Sequence, residues 1–190
     1  MRIVGGEYRG RPIRAPKGQS TRPTTDRTRE ALFNVLAHTD WPGVSSALEG
    51  ARVIDLYAGS GALGLEAVSR GASFCLFVET DAGARGVMRD NIEALSLFGQ
   101  TRIHRRSATA LGSIPASAGG PFTMAFLDPP YGKNLVQPTI RSLIEGRWLS
   151  AGAMVVAEQA QADPYPDVKE MTPLDDRLYG DTRILIFGLK

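Results

Sequence analysis

Read for hydrophobic and polar positions, the chain has a short, arginine-studded start and a long remainder in which strand-like and helix-like apolar patterns alternate. The strand-like runs are residues 53–57, 74–79, 102–105, 122–127 and 154–158. Between them, apolar residues recur at helical spacing over about 63–70, 82–97 and 135–145. This alternation predicts a parallel sheet with helices on both faces. Two further apolar runs, near 168–171 and 183–189, are joined by a short segment and predict a hairpin at a sheet edge. Residues 112–121 form a loop of small side chains, and 41–50 a linker rich in proline, glycine and serine.

The first forty residues follow another pattern. Residues 1–18 alternate short apolar pieces with glycine and arginine and predict a small β-hairpin. Pro23 then holds the chain extended, and Thr25 or Asp26 can cap a helix whose Leu32, Val35 and Leu36 share one face. Arg22, Arg27 and Arg29 fall near the start of that helix, where cations oppose its dipole unless something anionic neutralises them.

Composition sharpens this picture. A chain of 190 residues suits one domain with a substantial core. No apolar run is long enough to span a bilayer, and the N-terminus has no apolar signal core. The expectation is a cytoplasmic protein with no membrane contact. The single cysteine, Cys75, lies inside an apolar run and reads as strand packing. A formal net charge of +2 conceals an asymmetry: residues 2–29 carry eight basic and two acidic side chains, leaving the remainder net acidic. Seven of those eight are arginine, which suits bidentate phosphate contact and points to a polyanion.

The first chemical motif is Val53-Ile-Asp-Leu-Tyr-Ala-Gly-Ser-Gly-Ala-Leu-Gly64, an apolar strand broken by Asp55, then three glycines, then a helical pattern. The spacing of Gly59, Gly61 and Gly64 fits the G-x-G-x-x-G turn, in which a ligand approaches bare backbone and the free N–H groups of a helix start. Asp55 is a poor neighbour for a pyrophosphate and a good one for an amino group or a sulfonium, which moves the reading from NAD towards S-adenosylmethionine. Glu79 ends the next strand, where an acid can accept hydrogen bonds from both ribose hydroxyls. At the loop after the third strand, Ser107 and Ala108 stand where many methyltransferases place an acid for the adenine amino group.

The second motif is Asp128-Pro129-Pro130-Tyr131, after the fourth strand. The prolines stiffen the backbone and aim its carbonyls, Asp128 adds an acceptor, and Tyr131 adds a flat face. Such a cluster suits the amino group of a flat heterocycle, whose lone pair is delocalised into the ring. Hydrogen bonds to Asp128 and a proline carbonyl favour a pyramidal nitrogen, Asp128 can take its proton, and Tyr131 can stack on a base removed from its helix or loop. In an arbitrary protein the same four residues read as a rigid turn. Here they end the strand expected beside the glycine-turn strand, in the crevice where open α/β sheets bind ligands.

With both motifs and the N-terminal stretch in view, the chain resembles the bacterial methyltransferases that act on guanine-N2 of small-subunit (16S) ribosomal RNA. The resemblance is carried by Arg22-Pro-Thr-Thr-Asp-Arg-Thr-Arg-Glu30, Asp55 to Gly64, Asp128 to Tyr131 and Tyr179-Gly-Asp-Thr-Arg183. It implies a Rossmann-like α/β fold: a seven-stranded, mostly parallel sheet with an antiparallel last strand. It implies S-adenosylmethionine held by Asp55, Tyr57, Ala58, Gly59, Ser60, Gly61, Glu79, Thr80, Ser107 and Ala108. It implies catalysis by Asp128, Pro129, Pro130 and Tyr131 without a metal, and RNA contact by Arg9, Arg11, Arg22, Arg27 and Arg29. The expected organisation is a basic extension over 1–40 and a methyltransferase domain over 50–190. The expected substrate is 16S rRNA within a small-subunit assembly intermediate, met by a monomer. The rival readings are a DNA adenine-N6 or cytosine-N4 methyltransferase, an NAD-binding oxidoreductase, and a catalytically silent RNA-binding protein.

Overall fold

The structure is a computed structural model that describes residues 1–16, 25–42 and 46–190. Helix α1, Asp26–His38, comes first. Then follow β1 (Arg52–Leu56), α2 (Ala62–Ser69), β2 (Phe74–Val78), α3 (Ala82–Ala94), β3 (Thr101–His104), β4 (Phe122–Leu127), α4 (Val136–Glu145), β5 (Leu149–Ala160), β6 (Met171–Tyr179) and β7 (Thr182–Leu189). One seven-stranded sheet has the order β3-β2-β1-β4-β5-β7-β6. β3, β2, β1, β4 and β5 pair in parallel, and β7 runs antiparallel between β5 and β6. This is the Rossmann-like arrangement expected, with the last strand antiparallel and the β6–β7 hairpin at the sheet edge.

Alternation along the strands divides the core into two layers. Val53, Cys75, Phe77, Met124, Phe126 and Val156 pack with residues of α1, α2 and α3. Ile54, Leu76, Ala125, Leu127 and Val155 pack on the other face with α4 and Trp148. Side-chain caps start two helices: Thr25 Oγ1 accepts from the Thr28 amide at 3.1 Å, and Asp81 Oδ1 accepts from the Ala84 amide at 2.7 Å.

Several boundaries differ from the sequence reading. The expected N-terminal hairpin reduces to one antiparallel bridge, Arg2 with Pro12, flanked by the Ile3 amide on the Arg11 carbonyl at 2.9 Å and the Ile13 amide on the Met1 carbonyl at 3.0 Å. The run at 168–171 is not the edge strand. That strand begins at Met171 and continues to Tyr179 through the largely exposed Pro173, Asp175, Asp176 and Arg177. A register shift between Pro173 and Asp175, together with charge, gives it the character of a protected edge and hides it from an apolar scan. β5 begins at Leu149, five residues before the run that was read, with a register shift against β4. Trp41, placed in a linker, is buried and donates from Nε1 to the Leu36 carbonyl at 3.2 Å. Arg22 and Pro23 lie outside the described residues.

The N-terminal stretch shares the sheet's core, since Ile3, Ile13, Leu32, Phe33 and Leu36 join the layer formed by α2 and α3. Glu66 of α2, fully buried, is the polar anchor. It accepts from the Val4 amide at 2.8 Å and from Arg70 Nε at 2.7 Å, and it lies 3.7 Å from Arg29 Nε. Arg29 also reaches the Arg2 carbonyl and Asp26 Oδ1. Glu66→Ala leaves Arg29 buried with only the partly exposed Asp26 for charge. The expected loss is about 3 kcal/mol of stability in urea unfolding, with faster hydrogen exchange at Val4. Unchanged unfolding would remove Glu66 from this role.

Candidate active site

The two sequence motifs meet at the carboxyl ends of β1 and β4. The strands pair with Leu56 opposite Leu127, and the Asp128 amide donates to the Leu56 carbonyl at 3.4 Å. The glycine turn that starts at Tyr57 and the Asp128-Pro-Pro-Tyr131 loop therefore leave adjacent strands side by side. This is the crevice in which open α/β sheets bind ligands.

The glycine turn is braced by its own acids. Asp55, 1% exposed, accepts the Gly64 amide at 2.9 Å, so the third glycine's N–H is spent inside the protein. Gly64 cannot carry a Cβ, which would collide with Cys75 and Phe77 of β2. Gly61 caps α2 at φ 81° with no side-chain cap bond, and Tyr57 takes φ 61°. Its hydroxyl bonds Thr139 Oγ1 of α4 at 2.6 Å. Ala58 and Ser60 are buried, and Gly59 is half-buried. Glu79 accepts the Gly59 amide at 2.9 Å through one oxygen and the Asp81 amide at 2.8 Å through the other. A carboxylate has about four lone-pair sites, so these two bonds leave about two. Thr80 is exposed, and its carbonyl accepts from Arg85 at 2.6 Å. Ser107 is exposed and lies 3.0 Å from the Thr109 hydroxyl, while Ala108 is buried beneath it.

The second loop presents Asp128, largely buried, Pro129, buried, and Pro130 and Tyr131, both exposed. A cavity of about 260 Å³ lies against the two prolines and is lined further by Leu135, Gln159 and Pro164. The Tyr131 hydroxyl is bound by Glu158 and by Thr182, the latter at 2.9 Å. Phe126 and Val156 belong to the α1–α3 face, so Asp128 and Glu158, two residues on, project to that side, as Asp55 does. Burial, then the charges of Glu158 and Asp55, push the Asp128 carboxyl well above the usual range. Burial and the charge of Glu79 push Asp55 up to about 7, against the opposing Gly64 hydrogen bond. Acids crowded along these strand ends disfavour a phosphate and suit a cationic ligand. Among the described residues, no group of His, Cys, Asp and Glu is placed to hold a metal ion.

The arginines divide. Arg9 and Arg27 are exposed. Arg11 is exposed too, with one nitrogen on the Ala94 carbonyl at 2.8 Å. Arg29, expected as a surface RNA contact, is fully buried against Glu66 and Asp26. Its position three, four and seven residues before Leu32, Phe33 and Leu36 puts it on the inward face of α1. The sequence reading also passed over Glu158, an acid in an apolar strand and thus the same signal that marked Asp55. It passed over Asn91, a polar residue in line with Ala84, Met88 and Ile92 on the buried face of α3.

Comparison with known proteins gives consistent results. The family model described as "Conserved hypothetical protein 95" matches residues 1–188. Ribosomal RNA small subunit methyltransferase D of Escherichia coli K12 is 36% identical over 168 residues, covering 88% of this chain and 79% of that protein. The protein of the same name from Haemophilus influenzae is 30% identical over 181 residues, covering 95% and 89%. The solved structure of the Escherichia coli yhhF protein superposes with a TM-score of 0.82 at 32% identity, covering 100% of this chain and 98% of that one.

The raised Asp55 carboxyl sets a pH dependence. The folded state holds this proton up to about 7 while the unfolded chain releases it near 3.8, so the native state binds more protons between those values. Stability from this group is present in acid and is lost as pH rises through that window. Asp55→Asn, which keeps an acceptor for Gly64, should gain on the wild type by up to about 4 kcal/mol between pH 4 and pH 8 in urea unfolding. Parallel pH profiles for the two proteins would contradict the shift.

Proposed function

The chain belongs to the conserved hypothetical protein 95 family, together with ribosomal RNA small subunit methyltransferase D, and we propose that it methylates the exocyclic N2 of a guanine in 16S rRNA. That it is an rRNA methyltransferase follows from the family. The amine and the base rest on Asp128-Pro-Pro-Tyr131. The observation that carries the reading is the side-by-side exit of the two loops from β1 and β4.

S-adenosylmethionine would supply an electrophilic methyl on a sulfonium, which becomes a neutral thioether as the nitrogen takes the methyl. The residues fit it: a braced glycine turn, a carboxylate with open lone pairs at Glu79, and an acidic crevice congenial to a cation. Asp55, the Tyr57–Gly61 backbone and Glu79 would hold this group, with Thr80, Ser107 and Ala108 bordering its far end. Asp128 and the Pro129 carbonyl would accept from the amine and turn its lone pair outward. The exposed Tyr131 ring would stack on the base. Asp128 would receive the proton that the methylated nitrogen sheds. Positioning supplies most of the acceleration, because no protein nucleophile is required. The basic stretch within 1–40 would meet RNA phosphates through Arg9, Arg11, Arg27 and Arg22, and the body over 50–190 would carry the chemistry. The substrate in this reading is a small-subunit assembly intermediate, engaged by a monomer.

Asp128→Ala should lower methyl incorporation into rRNA from a strain lacking the enzyme by about 10³-fold, while calorimetric affinity for S-adenosylmethionine stays close to wild type. Near-normal turnover would defeat the assignment. Replacing Arg9, Arg11 and Arg27 by glutamine should reduce the slope of log affinity against log salt by about 2 in filter binding with rRNA. An unchanged slope would move the RNA contact elsewhere.

A further inference from the structure

The Tyr131 ring is held from its far end. Its hydroxyl has one proton, and Glu158 Oε1 accepts it; Thr182 Oγ1, at 2.9 Å, then donates to the phenol oxygen. Glu158 is 7% exposed on β5, and Thr182 opens β7 after the Gly180–Asp181 turn. The ring, 39% exposed, thus offers a face to solvent while its tip is tied to two strands. A tyrosine fixed at Cα and at its hydroxyl has little rotamer freedom left to lose on stacking.

Glu158 also stands next to Asp128. Leu127 pairs with Ala157, so the following residues of the two strands are neighbours. Among the described residues, the groups that act on Asp128 are Glu158 from β5 and Asp55 from β1; Tyr131, on the same loop, itself feels the Asp128 charge.

We infer that Glu158 and Thr182 are positioning residues for the amine-clamping loop: both set the Tyr131 ring through its hydroxyl, and Glu158 tunes Asp128 as the acceptor of the amine proton. The inference rests on the reading of that loop given above. In the step concerned, the proton leaves the methylated nitrogen and the Asp128 carboxylate becomes a carboxylic acid, with no change of oxidation state. A neighbouring negative charge makes Asp128 a stronger proton acceptor and confines its ionised form to higher pH.

Glu158→Gln keeps the size of the side chain and an acceptor for Tyr131 but removes the charge. The acid limb of kcat/KM for rRNA should move down by about one pH unit, with KM little changed. Carboxyl carbon NMR of the cofactor-free protein should show Asp128 titrating lower by the same amount. Thr182→Val should raise KM for rRNA roughly threefold and leave the acid limb in place. If Glu158→Gln does not fold, Glu158→Asp, which keeps the charge and shortens the reach, should raise KM without moving the limb. An Asp128 titration unmoved in Glu158→Gln, or a KM unmoved in Thr182→Val, overturns the inference. A wild type that methylates no rRNA instead defeats the functional reading, and the NMR titration still reads Asp128 in that case.

Discussion

The parallel pairing of β1 with β4 is the constraint on which the rest depends. Two strands about 70 residues apart in sequence end at the same level, and one backbone hydrogen bond, Asp128 to Leu56, joins the first residue of the second loop to the last residue before the first. Neither loop makes a site alone. A glycine turn without the neighbouring acid-proline loop is a generic ligand turn, and Asp-Pro-Pro-Tyr away from a crevice is a rigid corner. The apolar residues beneath, Val53, Ile54, Met124, Ala125 and Phe126, hold the pairing by burial on both sheet faces. The two loops above are positioned by a fully buried stretch of parallel sheet.

That position has an energetic cost, visible in the acids. Asp55, Asp128 and Glu158 project from neighbouring strands to one side, and Glu79 ends the next. The charges of Glu158 and Asp55 raise the cost of ionising Asp128, and that of Glu79 the cost of ionising Asp55, which a stability-optimised crevice would avoid. The protein offsets part of this with backbone amides: Gly64 on Asp55, and Gly59 and Asp81 on Glu79. Those same bonds shape the glycine turn, so charge crowding and turn geometry are one device. A bound cation would relieve the crowding.

Much of this was legible in the sequence because it rests on local pattern. The run at 122–127 is apolar but for Thr123 and emerges unchanged as β4, and Asp55 stood out as one acid in an apolar strand. What stayed hidden depends on which way a polar side chain faces. Asp175, Asp176 and Arg177 belong to an edge strand whose charges satisfy water or one another, so no apolar alternation marks it. Arg27 and Arg29 are the same residue type two positions apart. One is exposed and the other lies in the core, and only the spacing of Arg29 to Leu32, Phe33 and Leu36 distinguishes them. Thr182 lies in the Tyr179–Arg183 segment that carried the family resemblance, but its contact with Tyr131 spans 51 residues.

The basic start of the chain is fastened to the glycine turn by the same logic of buried amides. Asn91, 2% exposed, accepts the Arg14 amide at 2.8 Å and donates to the Arg14 carbonyl at 3.0 Å and the Ser60 carbonyl at 2.9 Å. An amide side chain satisfied on both ends has one orientation, so the backbone of the arm and that of the glycine turn are fixed relative to each other. Glu66 does the same a turn of α2 away, joining Val4 to Arg29 and Arg70. The arginine-rich segment therefore is not a tail appended to a finished domain. Its apolar residues complete the layer under the sheet, its backbone closes on Asn91 and Glu66, and Arg29 is spent on Glu66 and Asp26, while Arg9 and Arg27 face solvent.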